Sequence, residues 1–354
     1  MSFNLNNLLR DNIKKLVPYS SARDEFKGEA SVLLDANENA FGSPYTTNYH
    51  RYPDPLQHRV KEKIYKIKGV PTENIFLGNG SDEAIDILFR AFCRPGKDNV
   101  ILVPPTYGMY EVSANINDVE CRKVNLTRDF QLDIDGIEAA VDGNTKLIFV
   151  CSPNNPTGNS IRRQDIETLL VNFEGLVVVD EAYINFSKLQ SFTKDLSEFP
   201  NLVVLQTLSK AWGLAALRLG MAFASKDIIA VFNKIKPPYN INQATQEIVL
   251  EALDNVTLVN TWIQEVVSER EKLAVALSSL EQVEHVTPSD ANFILVKLQE
   301  PRALYNFLVS KGIIVRDRSR VELCEGCLRI TVGTPEENVA LLEMVAVFYG
   351  SSSL

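Results

Sequence analysis

Histidine is scarce in this chain of 354 residues, with only His50, His58 and His285. Cys324-Glu325-Gly326-Cys327 is a C-x-x-C pair, but no second pair accompanies it and the three histidines do not complete a ligand set. Neither a zinc site nor thioredoxin-like chemistry is therefore expected, and no metal is assigned. Five cysteines is an odd number, which points to reduced thiols in a cytoplasmic protein rather than to a disulfide framework. Long apolar runs are missing as well: none approaches the ~20 residues that span a bilayer. Met1 to Val17 scatters its apolar residues among Asn, Arg and Lys, unlike a signal peptide. Positive charge is in deficit, 36 Lys and Arg against 45 Asp and Glu, for a net charge of −9 and a pI near 5.1. Nucleic acid and anionic membrane are thereby excluded as general partners, since both need a basic face. An anionic ligand must instead meet a local cluster of arginines.

What is present is an ordinary globular balance, 45% hydrophobic and 23% charged residues, in a chain long enough for one large and one smaller domain. Residues 5–16 carry apolar residues at helical spacing and are predicted to form one amphipathic helix stopped by Pro18. A turn-rich loop through Gly42, Pro44, Pro53 and Pro55 follows. Strands are then predicted at 75–77, 100–103, 120–124, 147–151, 176–179, 202–205 and 221–224, several separated by helices such as 84–92, 134–141 and 163–172. Runs such as Leu176-Val177-Val178-Val179 suit strands covered on both faces, so the fold class is α/β, a doubly wound, mostly parallel sheet of about seven strands. Pro237-Pro238 closes that unit. A long helical stretch from 243 to 280 and short strands at 293–296, 313–315 and 328–332 then outline a small α/β domain. The expected division is an N-terminal arm over 1–34 that packs on the small domain or on a partner subunit, a large domain over 35–240 and a small domain over 241–354.

Chemistry gathers where strands end. Ser209-Lys210 leaves a β run eight residues before Arg218, a place where a lysine can form a Schiff base with an aldehyde cofactor while Ser209 and Arg218 hold its phosphate. Gly78-Asn79-Gly80-Ser81-Asp82 joins a strand to a helix, and its amides can bind a phosphate. Asp82 is expected to contribute its amide and to cap the helix. Tyr107 follows another strand and reads either as a ring-stacking residue or as a core tyrosine. Asn155, in the rigid turn Ser152 to Gly158, can donate to a ring oxygen. Val179-Asp180-Glu181 ends a buried strand in two acids that alternate faces, so only one enters the site. A carboxylate there can keep a pyridinium nitrogen protonated. A magnesium-binding acid is the rival reading, weakened by the absence of a Walker A motif.

Taken in order, these motifs resemble the fold type I pyridoxal-phosphate aminotransferases, and more narrowly the histidinol-phosphate aminotransferase family. The resemblance runs from Leu16-Val17-Pro18-Tyr19 and Ala36-Asn37-Glu38 through Arg51-Tyr52-Pro53 and Asp180 to Tyr183, and on to Leu328-Arg329-Ile330-Thr331-Val332-Gly333-Thr334. It implies pyridoxal 5′-phosphate as cofactor, and amino transfer between histidinol phosphate and 2-oxoglutarate to give imidazole acetol phosphate and glutamate. It implies that Lys210 carries the cofactor and shuttles the substrate proton, Asp180 binds the ring nitrogen, Asn155 and Tyr183 the ring hydroxyl, and Tyr107 stacks. Gly80, Ser81 and Asp82 (through backbone amides), Ser209 and Arg218 would hold the phosphate. Tyr52 would reach that phosphate from the neighbouring subunit, making a homodimer necessary. Arg329 would take the substrate anion, with Tyr19, Asn37 and Arg316 as further substrate candidates, although Arg316 to Arg320 also reads as a solvated charge run. The chain departs from the family pattern at Ala40, at Trp212 and Ala216, and in the short segment between Pro44 and Arg51, only six residues long. Threonine-phosphate decarboxylases and aromatic aminotransferases share the scaffold. Aminotransferase-like transcription regulators would need a DNA-binding module that residues 1–60 do not suggest.

Overall fold

The computed structural model describes residues 3–19 and 32–350. A seven-stranded sheet is built from β1 (Ile75–Asn79), β2 (Asn99–Leu102), β3 (Glu120–Lys123), β4 (Thr145–Cys151), β5 (Leu176–Asp180), β6 (Leu202–Thr207) and β7 (Leu219–Ala224), in the order β1-β7-β6-β5-β4-β2-β3. All neighbours are parallel except β7, which runs antiparallel to both β1 and β6. Along its strands, successive residues feed two cores. Ile148, Val150, Val177, Val179 and Val204 join one. Leu147, Phe149, Val178, Val203 and Leu205 join the other, on the opposite face. Period-2 alternation between two apolar layers is why these strands read as unbroken hydrophobic runs.

A second, four-stranded sheet contains β8 (Val283–Val286), β9 (Phe293–Leu298), β10 (Arg316–Asp317) and β11 (Cys327–Thr331), in the order β10-β11-β9-β8 and entirely antiparallel. The expected strand at 313–315 is displaced: pairing begins at Arg316, opposite Arg329. Helices Val256–Ser278, Pro301–Ser310 and Pro335–Tyr349 cover this sheet and contribute Leu273, Leu308 and Leu341 to its core. The helical stretch after Pro238 is two helices, Gln243–Ala252 and Val256–Ser278, interrupted at Leu253–Asn255.

The arm also differs from expectation. Instead of one helix it forms two short ones, Leu5–Leu8 and Asp11–Lys15, because Leu9 and Arg10 are extended between them. The N–H of Arg10 donates to the Ala91 carbonyl at 3.1 Å, and Lys234 Nζ donates to the Ile13 carbonyl at 2.7 Å. Leu8 and Ile13 thus enter the core of the large sheet, so this described part of the arm lies on the large sheet rather than on the small one. The remainder of the arm, residues 20–31, lies outside the described residues. No described helix is long and apolar enough to cross a membrane.

Candidate active site

The carboxyl ends of several parallel strands deliver residues to a common pocket. It is lined by Gly80, Ser81, Asp82, Tyr107, Asn155, Asp180, Tyr183, Ser209, Lys210 and Arg218, with Cys151, Ala182 and Thr207. β7 runs antiparallel, so Arg218 immediately before it arrives at the same edge as Lys210 after β6. Open α/β sheets bind their ligands at this edge.

The two acids ending β5 separate as alternation requires. Asp180 Oδ2 accepts from the Tyr110 phenol at 2.7 Å, and Oδ1 accepts from the Ala182 N–H at 3.0 Å. Glu181 turns to the other face, where Ser191 Oγ, the Phe192 N–H and Gln206 Nε2 all donate to it. Burial drives the Asp180 carboxyl above the ordinary carboxylate range, against the pull of the Tyr110 and Ala182 donors and of Lys210. A buried carboxylate held by two donors is poised for a cationic partner.

Lys210 faces that carboxylate from β6, its ammonium 5.6 Å from the centre of the Tyr183 ring. Its side chain is open to solvent on one side. Desolvation nevertheless lowers its basicity most, Arg329 and Arg218 lower it further, and Asp180 opposes them. A lysine surrounded in this way is easier to deprotonate, as a nucleophilic amine needs to be.

At the other end of the pocket Arg218 adopts a left-handed backbone, φ 52°. Its Nη1 donates to Ser209 Oγ at 3.4 Å and to the Ala215 carbonyl at 3.1 Å. The Gly80 N–H is consumed by the Arg218 carbonyl at 2.7 Å, so of the three amides expected to bind an anion only those of Ser81 and Asp82 remain at the open end of the Gly80–Phe92 helix. A further correction concerns the Asp82 side chain. Asn79 occupies the cap position, and Asp82 instead accepts from the Tyr107 phenol at 3.3 Å and lies 3.5 Å from Arg218 Nη2. Glycine is required here by close packing: a Cβ on Gly80 would stand 2.8 Å from Arg218 Nη2, and one on Gly220 would stand 2.1 Å from the Ser81 nitrogen. An aldehyde-bearing pyridine phosphate fits this donor set, with amides and a guanidinium at one end, a carboxylate at the other and an amine between.

Asn155 links this pocket to Arg329. Its Nδ2 donates to the Tyr183 hydroxyl at 3.4 Å and its Oδ1 accepts from Arg329 Nη1 at 2.6 Å. The Arg329 guanidinium lies over Phe293, whose ring meets Tyr183 edge-on. Other candidates stand apart. Tyr52 stacks on Tyr239 at 4.5 Å and, with Asn37, lines a separate cavity. Tyr19 is exposed, and Arg316 is exposed on β10 beside Arg329. Three residues at this edge were not anticipated. Tyr110 lies one helical turn after Tyr107, a spacing that was the available signal. Thr207, whose Oγ1 donates to Ser209 Oγ at 3.0 Å, and Arg318 gave none. Cys324 and Cys327 are buried free thiols, and no cluster of described residues could hold a metal ion.

This sheet order, with a lysine facing a buried carboxylate across the strand ends, is the architecture of the fold type I pyridoxal-phosphate transferases. The chain belongs to the class I and II aminotransferases, whose family model matches residues 28–345. Among curated proteins it is 57% identical to the histidinol-phosphate aminotransferase of Parabacteroides distasonis, over 96% of this chain and 97% of that one. It is 55% identical to the enzyme of the same name from Cytophaga hutchinsonii, over 98% and 100%. Among solved structures, histidinol-phosphate aminotransferase from Clostridium acetobutylicum superposes with a TM-score of 0.77 at 21% identity, over 85% of this chain and 91% of that one. The enzyme of that name from Sinorhizobium meliloti, in complex with pyridoxal-5′-phosphate, gives 0.75 at 23% identity, over 88% and 90%. At these identities the structural likeness bears on the fold.

Proposed function

We propose that the protein catalyses reversible amino transfer between histidinol phosphate and 2-oxoglutarate, yielding imidazole acetol phosphate and glutamate in histidine biosynthesis, with pyridoxal 5′-phosphate as cofactor. The observation that carries this reading is the Arg329–Asn155–Tyr183 chain, which ties an anion-binding guanidinium to a pocket holding Lys210 and Asp180. Near-full-length identity to enzymes of that name supports the choice of substrate.

When bound, the cofactor supplies an aldehyde that takes up the amino group and a ring that delocalises the electron pair left at Cα. Lys210 would hold the aldehyde of this group and is the base placed to carry the substrate Cα proton. Its lowered basicity keeps a share of it neutral. Asp180, fixed by Tyr110 and Ala182, would pair with the ring nitrogen and keep it protonated, which is what would make the ring an electron sink. Asn155 and Tyr183 would orient the ring hydroxyl, and Tyr107 would stack on the ring. Ser209, Arg218 and the amides of Ser81 and Asp82 hold the phosphate through the helix start and a fixed guanidinium. Arg329 presents a planar fork that suits a carboxylate or a phosphate.

The reading includes a homodimer in which Tyr52 reaches the partner's cofactor phosphate, which its place outside the Lys210 pocket supports. It also includes an arm over 1–34, a large domain over 35–240, a small domain over 241–354, and a cytoplasmic enzyme. A panel of amino donors with 2-oxoglutarate tests the substrate, and the visible absorbance of the purified protein tests the cofactor. Histidinol phosphate should be the best donor, and Lys210→Ala should abolish both turnover and the absorbance band of the lysine-bound cofactor. Carbon dioxide release from phosphothreonine, without keto-acid formation, would replace transamination with decarboxylation.

A further inference from the structure

Three arginines neighbour one another at the substrate end of the site: Arg316 and Arg318 lie in and just after β10, Arg329 stands opposite Arg316 on β11, and both Arg318 and Arg316 act electrostatically on the Arg329 guanidinium. The Arg318 N–H donates to the Cys327 carbonyl at 2.9 Å, which holds its backbone two residues from Arg329 along the adjoining strand. The acids of this segment are committed elsewhere. Asp317 accepts from Arg302 Nη1 at 2.9 Å and from the Ser319 N–H at 2.9 Å. Glu322 accepts from Asn125, and Glu325 from the Leu323 N–H. No carboxylate among the described residues forms an ion pair with Arg316, Arg318 or Arg329. The Nε atoms of both Arg318 and Arg329 are buried and without a hydrogen-bond partner among the described residues. Burial lowers the basicity of Arg329 most, and the Arg318 guanidinium lowers it next. Like charges gathered without counter-ions, with donor groups left over in partly dry surroundings, are costly unless an anion completes them.

The two amino donors of the proposed reaction differ in what they bring to this place. Glutamate attaches one carboxylate directly to Cα, where one fork satisfies its two oxygens, and carries its second carboxylate on the side chain, in the position that the imidazole takes in histidinol phosphate. Histidinol phosphate attaches a phosphate through a methylene and an ester oxygen, so its anion lies two bonds further out. It also carries three terminal oxygens and a charge of about −1.5 to −2 at neutral pH. Arg329 alone leaves one of those oxygens and part of that charge unanswered.

We infer that Arg318 is a specificity-determining residue that completes the binding of the phosphorylated donor beside Arg329 and contributes little to binding glutamate. This rests on the functional reading above. Tolerance of both donors then arises because Arg329 serves either anion while Arg318 engages only the longer and more highly charged one.

The test is steady-state kinetics of the holoenzyme carrying Arg318→Gln or Arg318→Lys, with histidinol phosphate and with glutamate as separate donors. Inorganic phosphate is added as a competitor against glutamate. Arg318→Gln should raise KM for histidinol phosphate roughly 10- to 100-fold, the size of one lost charge-assisted interaction, with kcat little changed. KM for glutamate should stay within about twofold, and inhibition by phosphate should weaken. Arg318→Lys should recover part of the loss, because it restores charge without the fork. An unchanged cofactor spectrum and glutamate reaction report that the variant is folded. Equal losses for both donors, or no loss for either, would overturn the inference. If the wild-type enzyme does not use histidinol phosphate at all, the functional reading falls, while the phosphate competition still decides whether Arg318 binds that anion.

Discussion

Tyr110 donates its phenol proton to Oδ2 of Asp180 across 2.7 Å inside the sheet, with its ring stacked on Phe149 and fully buried. The carboxylate proposed to pair with the ring nitrogen is thereby fixed by a second residue, as outer partners fix the ligands of a metal. Tyr110→Phe should leave the fold intact and raise the dissociation constant for pyridoxal phosphate about 10-fold, the lower end expected for losing one hydrogen bond to a charged group. Titrating the apoprotein with the cofactor checks this. Unaltered affinity would show that the Ala182 N–H suffices.

The amine of Lys210 sits below its ordinary basicity through desolvation first and Arg329 next. A neutral amine is the reactive form, so the rate at which the apoprotein captures pyridoxal phosphate should climb with pH around a midpoint below that of a free lysine. Removing a neighbouring cation relaxes that depression. Arg329→Gln should therefore move the midpoint upward. A midpoint that stays put would mean that burial alone sets it.

Arg329→Lys replaces a planar fork with a point charge at the place proposed to take the anion of both donors. Use of histidinol phosphate and of glutamate should weaken together, by roughly 10-fold or more in kcat/KM. Parallel kinetics with the two donors measure it. A loss confined to one donor would require separate anion sites.

Lys61 is only 5% exposed, and burial followed by the neighbouring Lys236 ammonium pushes its amine down to about 8. Between about pH 8 and the ordinary lysine value the unfolded chain binds a proton that the folded chain does not, so stability rises with pH there. Below about pH 8 the whole penalty is present. Lys61→Met removes it. Urea unfolding should show a gain of up to ~3 kcal/mol at pH 7 that shrinks toward zero near pH 10. An equal gain at both values would point to packing rather than charge.

The large sheet was legible because its signal is local. Each strand is a run of apolar residues, and the two-sided core that explains Val177-Val178-Val179 needs no knowledge of the neighbours. Lys210, Asp180 and Asn155 were legible for the same reason, since each stands at the end of such a run. The single helix expected over 5–16 failed because apolar spacing continues through Leu9 and Arg10 while the backbone does not. There the Arg10 amide bonds to the Ala91 carbonyl, a partner 81 positions away. The expected strand at 313–315 failed in a similar way, because pairing with β11 begins at Arg316, while Val315 enters the core, Ile313 packs against it and Ile314 stays exposed.

By itself, then, the sequence determined which segments are strands and which loops carry an amine, an amide and a carboxylate. Both follow from side-chain periodicity and backbone restriction over a few residues. Only the tertiary structure decided that Tyr110 grips Asp180, that the Gly80 amide is spent on Arg218, that Asp82 turns into the pocket, and that Arg318 stands beside Arg329. Those relationships depend on strand order and on the one antiparallel strand in the large sheet. They are set by how distant runs dock, and docking is governed by shape and charge across the whole core rather than by any local pattern.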